Sequence, residues 1–324
     1  MSRNTNLEEI LFPVKMCDVF YDGAPYNSTG DPSGEMTGEW RISIPGYRAL
    51  VNAQTGEPLA VVSKNYRLVT NQEALLLGEQ CFRAVFGTVD TSEMEIFNII
   101  TPNQKSFCHV DIVHKHYALN IWAQEIWLPF IRLTNSYNRT KALNFALGFC
   151  RKLCDNGVIF ESKTIEFTFF HMKDMIPEGD FEIGFNHLKE LETAFIAQMT
   201  SLKSFLVLDS LVLPFVCQAL GLEFDLRATD HQKREREHHK FDILKEGIQA
   251  LTEKYFSQLG KNGYALLNIV SDYASRPFGD PLLRMRISAF QKRTGSWIEN
   301  FTGAVRASDF NVSTYLGPYL DYSL

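Results

Sequence analysis

Apolar and polar residues alternate in short runs through the first half of this chain and recur at helical spacing in the second half. Trp40 to Leu50 and Leu59 to Leu68 read as two strands, joined by a turn from Asn52 to Pro58. Thr70, Asn71, Gln72 and Glu73 have the spacing of a capping box, which opens a helix through Leu75, Leu76, Gly78, Cys81, Phe82 and Val85. Met94 to Thr101 and Phe107 to Val113 form a second hairpin pattern, and Tyr117 to Trp122 with Ile126 to Leu133 extends it, turning near Ala123, Gln124 and Glu125. From Lys141 the period changes. Ala142, Phe145, Ala146, Phe149, Cys150, Leu153 and Cys154 make an apolar helical stripe, with Lys141, Asn144, Gly148, Arg151 and Lys152 opposite and Asp155-Asn156-Gly157 as the stop. Ile165 to Phe170 reads as one more strand. Beyond Pro177 helices are expected at Phe185 to Phe205, Leu211 to Leu220, Phe241 to Leu259, Tyr264 to Ala274 and Leu283 to Phe301.

This order predicts an α+β fold, with a mainly antiparallel sheet and embedded helices in the N-terminal part and a largely helical C-terminal part. The expected organisation is an acidic, partly ordered leader over 1–36, an α+β core domain over 37–176, and a helical region over 177–324 packing on it. A chain of 324 residues with 45% apolar and 22% charged content is ordinary for a globular protein. The N-terminus does not pair a basic stretch with an apolar run, and the longest apolar stretch, Phe205 to Val216, is interrupted by Asp209 and Pro214. A cytoplasmic protein with no membrane contact is therefore expected. Six cysteines (Cys17, Cys81, Cys108, Cys150, Cys154 and Cys217) are scattered through apolar sequence, as reduced core thiols are. Cys150 and Cys154 lack a second ligand pair at zinc spacing. His109, His114 and His116 lack a completing carboxylate pattern, so no metal or other cofactor is expected.

Charge changes the picture. Of the net −6, residues 1–40 carry −5, so the remainder is almost neutral. Within it, Ile126 to Cys154 contains no Asp or Glu, where the chain-wide frequency would place about three, but holds Arg132, Arg139, Lys141, Arg151 and Lys152. Leu282 to Arg306 holds Arg284, Arg286, Lys292, Arg293 and Arg306 against the single acid Glu299. Acid-free basic windows suit an anionic partner, and nucleic acid is the commonest large one. Tyr137, Trp127 and Phe130 are the expected stacking surfaces for unpaired bases. The run from Arg227 to Lys240 is largely neutralised by Asp230, Glu235 and Glu237. No nucleophile elbow, phosphate-binding loop or zinc-protease motif occurs, and Asp155, Glu161 and Glu166 do not stand out as a nuclease set, so an enzyme is not the favoured reading.

Three segments resemble the phage- and plasmid-borne family known as domain of unknown function 932. The first is VVSKNYRLVTNQEALLLGEQ, residues 61–80. The second is LTNSYNRTKALNFALGFCRKLCDNGVIF, residues 133–160. There Asn135, Ser136 and Tyr137 match an Asn-Ser-Tyr turn, Arg151, Cys154 and Asn156 match the later part, and Asn138-Arg139-Thr140 replaces the family's acidic-Gly-Ser step. The third is Asn268 to Tyr273, after which the family's His is absent and Arg276 stands nearby. The family has no settled activity, and the resemblance implies a setting of mobile elements and DNA metabolism.

The resulting expectation is a mobile-element protein that captures single-stranded nucleic acid, in replication, annealing or recombination, and works as a homo-oligomer. Its contacts would be Arg132, Asn135, Tyr137, Arg139, Lys141, Arg151, Lys152, Arg284, Arg286, Lys292 and Arg293. Of the two asparagine turns, Asn135 is expected at the ligand and Asn156 in the scaffold. The alternative is a protein-binding module, such as a phage inhibitor of a host defence system.

Overall fold

The computed structural model describes residues 5–22, 41–122, 125–153, 156–160, 167–169, 185–279 and 281–322. It is a mixed α+β fold, with antiparallel sheets in the N-terminal half and mostly helices in the C-terminal part. Strands β1 (Val14–Asp22), β2 (Arg41–Asn52) and β3 (Pro58–Ser63) form a three-stranded antiparallel meander. The expected β2–β3 hairpin is present, with Asn52 Oδ1 accepting from the Gln54 amide in its turn.

The larger sheet holds β4 (Met94–Ile100), β5 (Phe107–His114), β6 (Leu119–Trp122), β7 (Glu125–Ser136), β8 (Leu143–Arg151), β9 (Gly157–Ile159) and β10 (Phe167–Phe169). Trp127 pairs with both Leu119 and Arg151, so β6 continues the line of β5 on one side of β7 while β8 takes the other. By the same logic β9 and β10 share the far side of β8.

The stretch expected as a helix from Lys141 to Cys154 is instead the strand β8, paired on both sides and buried at every position. Leu143, Phe145, Leu147 and Phe149 face one apolar cluster; Ala146 and Cys150 face a second. A strand covered on both faces is nearly continuously apolar, and such a run contains helical spacing as readily as alternation. Gly148 separates the two structures. A Cβ there would lie 2.7 Å from Phe130 Cζ and 2.5 Å from the Val158 carbonyl oxygen.

The first face is covered by α1 (Asn71–Phe86), α2 (Phe185–Ser204) and α5 (Gly263–Ser275). The capping box of α1 forms as expected: Thr70 Oγ1 accepts from the Glu73 amide, and Glu73 Oε2 accepts from the Thr70 amide at 2.7 Å. The helix α6 (Ile287–Val305) lies against β9, so closely that a Cβ on Gly295 would sit 2.0 Å from the Ile159 carbonyl oxygen. Helices α3 (Val212–Leu220), α4 (His231–Leu259) and α7 (Val312–Leu316) complete the helical part. One apolar cluster runs from Ile10 to Leu316, so sheet and helices share a core. Ile10 and Phe12 are buried, and β1 pairs along β2. Residues 5–22, expected within a leader, are therefore part of the fold.

Candidate functional site

Four of the expected contacts lie in the interior: Arg132, Asn135, Tyr137 and Arg151 are each at most 3% exposed. The reason is the strand. Alternation along β7 and β8 sends Arg132, Asn135 and Arg151 to covered faces, and Tyr137 is buried directly after β7; only Arg151 was expected on a helix, which would have aimed it at solvent.

Arg132 lies on the sheet face opposite α1. Its Nε and Nη2 donate to the two carboxylate oxygens of Asp111 at 2.6 and 2.7 Å, its Nη1 donates to Gln291 Oε1, and its guanidinium lies over the Phe130 ring. The small side of β8, Ala146 and Gly148, leaves room for this. Gln291 Nε2 donates to Ser275 Oγ, which also accepts from the Gly157 amide. Next to Gly157, Asn156 Oδ1 accepts from Arg276 at 2.6 Å and its Nδ2 donates to Tyr255 Oη at 3.0 Å. Tyr255, Lys254 and Arg276 all donate to Asp272. Burial alone would raise the Asp272 pKa, but the Tyr255 hydrogen bond and the Arg276 and Lys254 charges outweigh it and hold the carboxyl below its ordinary value. A polar chain thus runs through the molecule from Asp111 to Asp272.

Asn135 lies in a different network. Its Nδ2 donates to the Val69 carbonyl at 3.0 Å and to Asn71 Oδ1 at 2.8 Å. Asn71 Nδ2 reaches the Ile10 carbonyl, the Asn71 amide donates to Tyr137 Oη, and Tyr66 Oη donates to the Ser136 carbonyl. Cys108, its thiol pushed up to about 12 by burial, donates to Asn71 Oδ1. These bonds fasten the smaller sheet and the start of α1 to β7. Asn135 is scaffold. Asn156 is scaffold too, as expected, but by pairing with Tyr255 and Arg276 inside a charged network and not by ending a helix; the ligand role expected of Asn135 does not hold.

Arg151 makes a third pairing, bidentate to Glu125, whose carboxylate also accepts from Tyr264. The expected stacking residues Tyr137, Trp127 and Phe130 are all fully buried. Arg139, Lys152, Arg286 and Arg293 are exposed, and Lys141 and Lys292 are half-buried. The side chain of Arg284, together with Cys154, Asp155, Glu161 and Glu166, lies outside the described residues.

The charge of Lys292, from the second basic window, acts on Lys141 in the first. The Lys141 ammonium is held below its usual pKa first by burial and then by the Lys292 charge. Both, with Arg132, act on His109, whose ring is buried and bonded through Nδ1 to Thr134 Oγ1. Burial first, and these three cations next, push the His109 pKa well below its ordinary value and keep the ring neutral. Lys141 Nζ also stands 5.2 Å from the Phe107 ring centroid. Sequence reasoning weighed His109 only as a metal ligand and Asn71 only as part of a capping box, and it missed Asp111 and Gln291, because each gains its role from a partner distant in the chain. Among the described residues no group of three His, Cys, Asp or Glu could hold a metal ion.

The family model for Domain of unknown function (DUF932) matches residues 58–284. The chain belongs to this family. No curated protein and no solved structure matches it. All three segments that resemble the DUF932 family contribute to the networks above: Asn71 from the first, Asn135 and Asn156 from the second, Asp272 from the third. Arg276, near the missing family histidine, bonds both Asp272 and Asn156. Arg139 stands where the family's turn has Gly, and its φ of 61° is the left-handed conformation that favours Gly. No helix among the described residues is long and apolar enough to cross a membrane.

Proposed function

We propose that this DUF932 protein binds nucleic acid by its phosphates, through Lys141 and Lys292, with Arg139, Arg286 and Arg293 as further exposed cations of the two basic windows. The observation that carries the reading is the approach of Lys141 and Lys292. Two half-buried ammonium groups, the charge of one acting on the other, are an arrangement that an anion relieves. Arg139 adds weight, because a non-glycine residue at positive φ costs about 1 kcal/mol or more and its side chain is exposed. No covalent chemistry is involved.

The test is titration of a labelled oligonucleotide across salt concentrations. Affinity should fall linearly on logarithmic axes, and Lys141→Gln or Lys292→Gln should each reduce the slope by about 0.7–0.9. Absence of binding at low salt rejects the proposal. A host protein that co-purifies, with no nucleic acid bound, favours the protein-binding alternative.

A further inference from the structure

Three connections meet at one end of the larger sheet. Phe107 pairs with Ser136, which sets the β4–β5 turn (101–106) beside the β7–β8 turn (137–142), and the Tyr137 amide donates to the Ser106 carbonyl at 2.8 Å. The connection from β3 to α1 (64–70) joins them, because Tyr66 Oη donates to the Ser136 carbonyl at 3.1 Å. These three stretches hold Lys64, Arg67, Lys105, Arg139 and Lys141 and no Asp or Glu. With Glu8, Glu9 and Glu73 of the adjoining segments counted, the cations still outnumber the carboxylates. Arg67 and Glu9 are already engaged, and Glu73 is bonded to Thr70 in the cap of α1.

Backbone strain marks the same place. Among the described residues, Lys105 and Arg139 are the non-glycine residues at positive φ, at 51° and 61°. Lys and Arg are 32 of the 324 residues, so chance would seldom put one at each position, and Gly would hold either turn with less strain. Strain kept on two adjoining turns, each time under a cation, points to a task for those cations.

The two lysines are also held in an unusual way. Lys105 Nζ stands 5.7 Å from the Phe12 ring centroid, and Lys141 Nζ stands 5.2 Å from that of Phe107. Both lysines are half-buried, and neither forms an ion pair among the described residues. A ring face orders an ammonium group without cancelling its charge. Phe12 itself packs on Tyr137, with ring centroids 6.0 Å apart, so both lysines are anchored to this sheet end. Ordered cations that keep their charge, on adjoining turns, fit a ligand with repeated negative charges at close spacing, as a nucleic-acid backbone has.

We propose that this sheet end is the phosphate-binding platform, with Lys105 contacting the backbone beside Arg139 and Lys141. The inference rests on the nucleic-acid reading above and adds a residue that lies in neither basic window.

The experiment uses the full chain with Lys105→Gln, Lys105→Gly, Lys141→Gln and Lys115→Gln, each titrated with a labelled oligonucleotide across salt concentrations and each melted. Lys115 is exposed just past the opposite end of β5 and controls for a general loss of charge. Both Lys105 variants should lower the salt slope by about 0.7–0.9, as one lost phosphate contact does, while Lys115→Gln leaves it unchanged. Lys105→Gly also relieves the positive φ, so it should melt no lower than the parent and still lose affinity, which separates charge from folding. A parental slope in either Lys105 variant, or an equal loss in Lys115→Gln, overturns the inference and leaves Lys141→Gln to judge the phosphate reading by itself. Absence of nucleic-acid binding in the parent protein overturns both.

Discussion

Two buried polar networks on the larger sheet are built on opposite principles. The Asn71–Asn135–Tyr137 network at the start of α1 contains no charged group. Its partners include the main-chain carbonyls of Ile10, Val69 and Ser136. The network from Asp111 to Asp272 holds five charged side chains, two of which, Lys254 and Arg276, remain 42% and 34% exposed. Neutral amides bonded to main-chain carbonyls and to each other fix the position of a helix and are indifferent to pH. Charges taken from water must be paired, and they leave the structure sensitive to protonation. Asparagine occurs in both networks, and its neighbours decide which kind of role it has.

The strongest way to break the contrast is to remove Arg132. Arg132→Met leaves Asp111 buried without its bidentate partner and should cost about 3–5 kcal/mol in denaturant unfolding. Arg132→Met combined with Asp111→Leu should recover most of that loss, since replacing both members of a buried pair by apolar groups is close to neutral. If the single variant melts like the parent, the charged network carries no stability.

Asn135→Ala and Gly148→Ala come next. The first loses two hydrogen bonds and should cost about 1–3 kcal/mol while binding per folded molecule stays constant. A drop in binding without a drop in stability would return Asn135 to the ligand surface. Gly148→Ala pushes into Phe130, beneath the Arg132 guanidinium, and should cost about 1–3 kcal/mol. In a helix the same change would stabilise by about 1 kcal/mol, so the sign of the measured shift decides between strand and helix.

Acid separates the networks without mutation. The His109 pKa is depressed in the folded protein, so its contribution is complete above the unfolded value of about 6.5 and is lost progressively as pH falls below it. The Asp272 pKa is also depressed, so its contribution is present above the ordinary carboxylate range and is lost on further acidification through the folded value. His109→Gln should flatten the first loss in a series of melts. The deficit of Asn135→Ala should be the same at every pH, because nothing in its network titrates in that range.

The smallest expected effect is at Arg139. Arg139→Gly relieves the positive φ and should raise stability by up to about 1 kcal/mol while weakening nucleic-acid binding. Unchanged binding would remove Arg139 from the proposed surface.

What the sequence determined by itself is local. The capping box of α1, the β2–β3 and β4–β5 hairpins, and the helices α2, α3 and α5 are set by residues a few positions apart and stand where the pattern puts them, whereas α4 starts ten residues before the expected Phe241. The family is legible for the same reason, since its motifs are short runs. The tertiary structure alone decided β8. Apolar residues covered on both faces carry no usable period, and only pairing with β7, β9 and β10 made that stretch a strand. That decision also buried Arg151, which a helix would have left at the surface. Arg132, Asn135 and Arg151 are polar letters in an acid-free window, but each found a partner between 21 and 64 residues away and went inside. Lys141 and Lys292 are 151 positions apart, and packing brought them into one field. A sequence records charge and period along the chain. Whether a charge is paired, buried or presented depends on which face of which strand holds it, and that is a property of the packed sheet.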